Sequence, residues 1–141
     1  MPPSVATVEE ILKLKNYNLR DVKIVLIGAG FLIGKPVGFW FQNRVAEITV
    51  FDEHVKDLKE KLGDADIVVS GAGRAGLFSA KHLKEGALVI DFGFNKEEGK
   101  IAGDFDPVGA EERNISYTKT PGGTGPILVA KLYENFYALN A

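Results

Sequence analysis

The chain of 141 residues has no cysteine, two histidines, one tryptophan and one methionine. The missing thiols exclude a disulfide framework, a thiolate metal site and a cysteine nucleophile. His54 and His82 fit neither a metal-ligand spacing nor a catalytic triad, so they read as surface or packing side chains and no metal is expected. No apolar run approaches the roughly 20 residues that span a bilayer, and the start, MPPSVATVEE, lacks the apolar core of a signal peptide. A surplus of one charge is missing too. Seventeen basic residues against 19 acidic ones leave a formal net charge of −2 with both signs scattered, so neither nucleic acid nor a membrane surface is an expected partner. The expectation is one soluble domain over residues 1–141, with a cytoplasmic location.

What the chain does have is a hydrophobic period that switches between strand-like and helix-like. VKIVLIG, EITVFD, ADIVVSG and GALVIDFG are continuous Val/Ile/Leu runs, the pattern of strands covered on both faces in a parallel sheet. ATVEEILKL, Ala6 to Leu14, predicts a helix with Glu9 and Glu10 in its first turn. FLIGKPVGFWFQNR predicts a second, with Pro36 near its start. Short helices are expected at Val55–Leu62 and at Ser79–Leu83, the latter capped by Ser79. EEGKIAGDF reads as a short strand or hairpin, ISYTKT as a strand, and a final helix should run from about Pro126 to Leu139. The fold class is therefore α/β, a doubly wound, mainly parallel sheet in three α/β/α layers.

Glycine marks the places where ligands would lie. Gly28-Ala29-Gly30 follows the first strand and Gly34 lies in the next helix. In a dinucleotide fold the first glycine makes the turn, the second lets the backbone approach a pyrophosphate, and the third lets helix and sheet pack closely. The helix N-terminus then faces the phosphates. The second strand ends in Asp52, 22 residues beyond Gly30 (52 − 30), close to the spacing of an acidic residue that takes the ribose hydroxyls. Two further clusters, Gly71-Ala72-Gly73 after the third strand and Pro121 to Pro126 before the last helix, fall on the same carboxyl edge, where open α/β sheets bind ligands.

The segments IGAGFLIGKP, ADIVVSGAG, GALVIDFGFN, GDFDP and TPGGTGPILVAKLYEN, in this order and spacing, resemble the cofactor-binding domain of the bifunctional methylenetetrahydrofolate dehydrogenase/cyclohydrolase family. The likeness covers essentially the whole chain. It implies a Rossmann domain that holds a nicotinamide cofactor next to a folate bound mainly on another domain. It implies that Gly28, Ala29 and Gly30 form the pyrophosphate loop, that Glu53 lies beside the ribose 2′ position, and that Phe94 is a contact in the DxGxN segment. It implies too that the segment from Pro121 to Pro126, with Pro121, Gly122, Gly123 and Thr124, faces both cofactor and substrate cleft. Dimerisation through this domain is implied as well. In the family a separate N-terminal catalytic domain carries the lysine that drives both reactions, and no residue here carries over to it.

Two departures bear on the cofactor. Members of the family usually have serine where Gly30 stands, and often His-Ser or His-Arg where Asp52-Glu53 stands. The latter pairs suit a 2′-phosphate and an acidic pair opposes one, so NAD is expected in preference to NADP, with His54, Lys56 and Arg74 available to soften the bias. The leading reading is an NAD-binding domain that needs a separate catalytic domain or chain for folate chemistry. The alternative is a free-standing nucleotide-binding module that regulates or recruits another protein. A base, were the chain to turn over alone, would have to come from Lys35, Asp91, Asp104 or Lys119. Phe39, Trp40 and Phe41 span about 200° of a helix and cannot share one core face, and the nearly apolar last helix must be deeply buried or shared with a partner.

Overall fold

Two consecutive prolines start the first helix. Pro2 caps it and Pro3 occupies the first turn, where a missing N–H costs no hydrogen bond, so α1 runs Pro3–Lys15. The computed structural model describes residues 1–52 and 54–140. Because α1 opens at Pro3 and not at Ala6, Glu9 and Glu10 fall in its middle. Glu9 pairs with Lys13 at 3.4 Å, and Glu10 reaches Lys131 of the last helix at 3.3 Å.

The remaining elements are β1 (Lys23–Ile27), α2 (Gly34–Phe41), β2 (Glu47–Phe51), β3 (Ile67–Ser70), β4 (Phe78–Ser79), β5 (Leu88–Asp91), β6 (Asn95–Glu97), β7 (Lys100–Ala102), β8 (Phe105–Asp106), β9 (Ser116–Tyr117) and α3 (Thr124–Asn140). The main sheet has the order β2-β1-β3-β5-β9, and all four of its pairings are parallel. A mainly parallel sheet with flanking helices is thus an α/β fold, as the buried runs imply. Strands β3 and β5 are buried throughout, whereas β2 is partly exposed because it forms the sheet's edge.

Alternation along each strand divides the core in two. Ile24 and Leu26 of β1 join Val5, Val8, Val37 and Phe41 under α1 and α2. Val25 and Ile27 point the other way, into a cluster with Leu58, Leu62, Phe78, Leu83 and Phe105. Each such side chain contributes roughly 1.5–3 kcal/mol by leaving water. The second face is not covered by the two short α-helices expected there. It carries 3-10 turns at Leu58–Lys61 and Ala80–His82. Ser79 caps the latter, and its N–H donates to His82 Nδ1 at 3.0 Å. Partial burial and the nearby Lys59 and Lys81 ammoniums lower the His82 pKa, which favours the neutral ring this bond requires.

Helix α2 starts at Gly34 and not at Phe31, since residues 31–33 turn instead. The hairpin is β6 paired antiparallel with β7, closed by Glu98 and Gly99, whose φ values of 48° and 78° suit a two-residue turn of positive φ. Helix α3 packs along α1, yet Leu132, Tyr133, Phe136, Tyr137 and Leu139 remain exposed. Of the aromatic triplet, Phe41 is fully buried, Trp40 lies partly buried against the core, and Phe39 is 79% exposed. No helix among the described residues is long and apolar enough to cross a membrane.

Candidate functional site

The parallel registers place the strand ends side by side. Ile27 lies beside Phe51 on one flank and Ser70 on the other, and Ser70 lies beside Asp91. The segments that begin at Gly28, Asp52, Gly71 and Phe92 therefore all leave from the carboxyl edge. The segment after β9 joins them, where the Thr118 hydroxyl accepts the Asp91 N–H at 2.8 Å.

The glycines there fall into two kinds. Gly28 has φ +95°, and its N–H donates to Phe51 O at 2.8 Å. A Cβ on Gly34 would overlap Gly28 O and lie 2.8 Å from Ala29 Cα, while one on Gly28 would come within 2.9 Å of Gly71 O. These glycines let three backbone segments touch. Gly30 and Gly73 are different: a Cβ on either would meet nothing within 4 Å. The turn is closed on the protein side and open at Gly30, which is the shape a pyrophosphate cradle needs, and it leads straight into the N-terminus of α2. Alongside, a groove of about 350 Å³ runs between α2 and β2, lined by Ala29, Gly34, Phe39, Ile48 and Val50 among others.

Asp52 is exposed just beyond β2, and its Oδ1 accepts the His54 N–H at 2.8 Å. Glu53 lies outside the described residues. Beyond β5, Phe94 is 65% exposed. Pro121 and Gly122 are exposed and follow a cis Thr120–Pro121 bond. Gly123 must be glycine on space alone, because a Cβ would come within 2.8 Å of Lys119 N. The Thr124 hydroxyl donates to Asp91 O at 2.8 Å, which anchors the start of α3 on the end of β5. The sheet thus brings Gly28, Ala29, Gly30, Asp52, Gly71, Ala72, Gly73, Phe94 and the turn from Pro121 to Thr124 to one edge.

Two carboxylates lie beneath these loops. Asp104 is fully buried: one oxygen accepts the Ser70 hydroxyl at 2.6 Å and the Ala72 N–H at 2.8 Å, the other the Arg74 N–H at 2.9 Å. Asp91, also buried, accepts the N–H of Gly93 at 2.7 Å and of Phe105 at 3.0 Å. A Cβ on Gly93 would overlap the Asp104 carboxylate and one on Gly103 the Asp91 carboxylate, so glycines and aspartates interlock in pairs. Burial, reinforced by the neighbouring Asp104 charge, pushes the Asp91 carboxyl up to about 6 against the N–H groups that favour its ionised form. Neither is a free base; each is an acceptor for backbone. Spacing revealed the glycines but not this arrangement, in which Asp104 takes its donors from a loop 30 to 34 residues earlier in the chain. In the sequence Asp91 and Asp104 stand out only as candidate bases within the GALVIDFGFN and GDFDP segments, with nothing to pair them with Gly103 and Gly93. No group of acidic residues and histidines among the described residues is arranged to hold a metal.

Known proteins agree with this geometry. Residues 2–141 match the family model described as the NAD(P)-binding domain of tetrahydrofolate dehydrogenase/cyclohydrolase. The bifunctional protein FolD of Bacillus subtilis is 38% identical over 136 residues, which cover 96% of this chain and 48% of that protein. A crystal structure of FolD from Campylobacter jejuni superposes with a TM-score of 0.87 at 35% identity, covering 96% of this chain and 48% of the other. The Trypanosoma brucei enzyme, solved with NADP and an inhibitor, superposes with a TM-score of 0.84 at 31% identity and the same coverage. The chain spans about half the length of these relatives. With its fold, its loops and nearly every residue matched, the chain belongs to the family of tetrahydrofolate dehydrogenase/cyclohydrolase NAD(P)-binding domains.

Proposed function

We propose that the chain holds a nicotinamide dinucleotide across the carboxyl edge of its sheet, NAD in preference to NADP, for a methylenetetrahydrofolate dehydrogenase/cyclohydrolase whose catalytic residues lie on a separate domain. The observation that carries the binding is the turn that is closed at Gly28 and Gly34 yet open at Gly30. When bound, the cofactor accepts hydride. The chain's own part is to position it: Gly30 leaves room for the pyrophosphate, the start of α2 faces it, and the turn from Pro121 to Thr124 borders the cleft where a folate would meet the nicotinamide.

Asp52 carries the preference for NAD. It leaves β2 beside Gly28, where the adenosine ribose of a dinucleotide lies in such folds, and its bond to the His54 N–H holds the carboxylate in place. A phosphate charge about 4 Å from a carboxylate costs about 4 kcal/mol at an effective dielectric near 20. Asp52 is exposed, so solvent and salt remove most of that; about a third of it still approaches a factor of ten in affinity. Calorimetric titration with both cofactors tests the proposal. NAD should bind at least about tenfold more tightly, and equal or reversed affinities would defeat the charge argument.

The apolar residues exposed on α3 suit a docking face for the catalytic domain, and Phe39 with Ile48 and Val50 along the β2 edge suits a second copy of this chain. Sedimentation of the pure chain should show a dimer, and Phe39→Lys should shift it toward monomer. A monomer at all concentrations would remove that part of the reading.

A further inference from the structure

The dinucleotide reading leaves the segment from Ser70 to Arg74 without a role beyond its place on the edge. Its backbone says more. Asp104 draws the N–H groups of Ala72 and Arg74 and the hydroxyl of Ser70 inward, onto one buried carboxylate. Those two N–H groups are therefore not offered to a phosphate, and the segment is not an anion nest. What it turns outward is the half-buried Ala72 and the exposed Gly73 and Arg74, with open space at the Gly73 Cα. It also lies on the β3 side of Gly28, opposite the β2 side on which Asp52 stands. A dinucleotide with its adenosine at Asp52 and its pyrophosphate at Gly30 would lay its nicotinamide half against this segment.

We infer that Asp104, buried beneath the loop, is the positioning residue for the nicotinamide half of the cofactor, setting the outward face of the Gly71–Arg74 loop while having no part in holding the adenosine or the phosphates. The inference rests on the proposed dinucleotide site. Two features argue that the arrangement is built for rigidity. The three donors to the Asp104 carboxylate all come from this one segment, and Gly93 is held to glycine because a Cβ there would overlap that carboxylate. Nothing in a purely structural clasp requires it to stand under a glycine loop at the carboxyl edge.

The test compares NAD with ADP, which carries the adenosine and both phosphates but no nicotinamide. Calorimetric titrations of the wild-type chain, Asp104→Asn and Ser70→Ala with each ligand are sufficient. The substituted amide would set an N–H₂ group against a loop N–H, so Asp104→Asn should weaken NAD by at least about tenfold and leave ADP within about twofold. Ser70→Ala, which removes one donor to the same carboxylate, should weaken NAD by about threefold and likewise spare ADP. Equal losses for the two ligands would show a merely structural role and overturn the inference, as would unchanged NAD affinity in both variants. If Asp104→Asn fails to fold, Ser70→Ala decides alone by the same comparison. A wild-type chain that binds neither ligand would overturn the dinucleotide reading itself, and the inference with it. A wild-type chain that binds both, with variants indistinguishable from it, overturns only the role of Asp104.

Discussion

Replacing Gly34 by alanine and Gly30 by valine separates two reasons for glycine in the turn between β1 and α2. At Gly34 the added Cβ would overlap Gly28 O and stand 2.8 Å from both Ala29 Cα and Gly28 C. All three neighbours are backbone atoms and none is the end of a flexible side chain, so α2 and the turn must move apart. Overpacking of this kind costs roughly 1–3 kcal/mol, and backbone neighbours put the cost at the upper end. Alanine's better helix propensity returns up to about 1 kcal/mol. A net loss of about 2 kcal/mol should lower the melting temperature of a domain this size by roughly 5–10 °C. A Cβ at position 30 meets nothing within 4 Å, and Gly30 has no positive φ for valine to strain. The melting temperature should then move by less than about 2 °C, while the branched side chain occupies the space assigned to the pyrophosphate and cofactor binding is lost. Thermal melts by circular dichroism and NAD titrations on both variants make the measurement. A Gly34→Ala variant that melts like the wild type would contradict the packing argument. A Gly30→Val variant that binds NAD like the wild type would reduce the loop to an ordinary turn.

Asp52→Ser should narrow the gap between NAD and NADP by at least about threefold, chiefly through tighter NADP, and an unchanged ratio in paired titrations would assign the preference elsewhere. The Asp91 carboxyl carbon, followed by NMR, should titrate near pH 6. The folded chain then holds a proton between about pH 4 and 6 that the unfolded chain has released, so this group's contribution to stability falls as pH rises through that window. A midpoint below about 4.5 would show that its N–H donors outweigh burial. The isolated chain should show neither dehydrogenase nor cyclohydrolase turnover. Adding the catalytic domain of a relative in trans should restore both, and Phe136→Lys on the exposed face of α3 should prevent that restoration. Steady turnover by the repurified chain alone would send the search for a base back to Lys35 and Lys119.

The strands themselves were legible wherever burial is two-sided. IVLI, IVVS and LVID are continuous apolar runs because neighbours cover both faces, and they became β1, β3 and β5. EITVF carries the same signal yet lies at the edge, since a run records hydrophobicity and not how many neighbours a strand has. Val55–Leu62 misled in the opposite sense. Leu58 and Leu62 are buried at helical spacing, but the segment enters through Asp57 at φ 60° and has no length in which to repeat an α-turn, so 3-10 bonds close it. That Gly28, Gly30, Gly34 and Asp52 gather at the carboxyl edge was legible because a strand, a turn and a helix in succession leave a local spacing. Asp104 left none, because its hydrogen bonds cross from the segment after β7 to the loop after β3 and only the folded sheet brings the two together.

The unequal covering of the two faces bears on how the domain comes apart. Under α1 and α2 the sheet is roofed by complete helical turns, but the opposite core, from Leu58 to Phe105, lies beneath 3-10 turns and two-residue strands, each too short to hold more than a few amide bonds. Such a roof opens locally at much lower free energy than the whole domain unfolds. Amide exchange and limited proteolysis should therefore enter through residues 55–65 and 76–86 while β1, β3 and α1 remain protected. Sequence changes that loosen this roof should show first on that side, away from α2 and the glycine turn that precedes it.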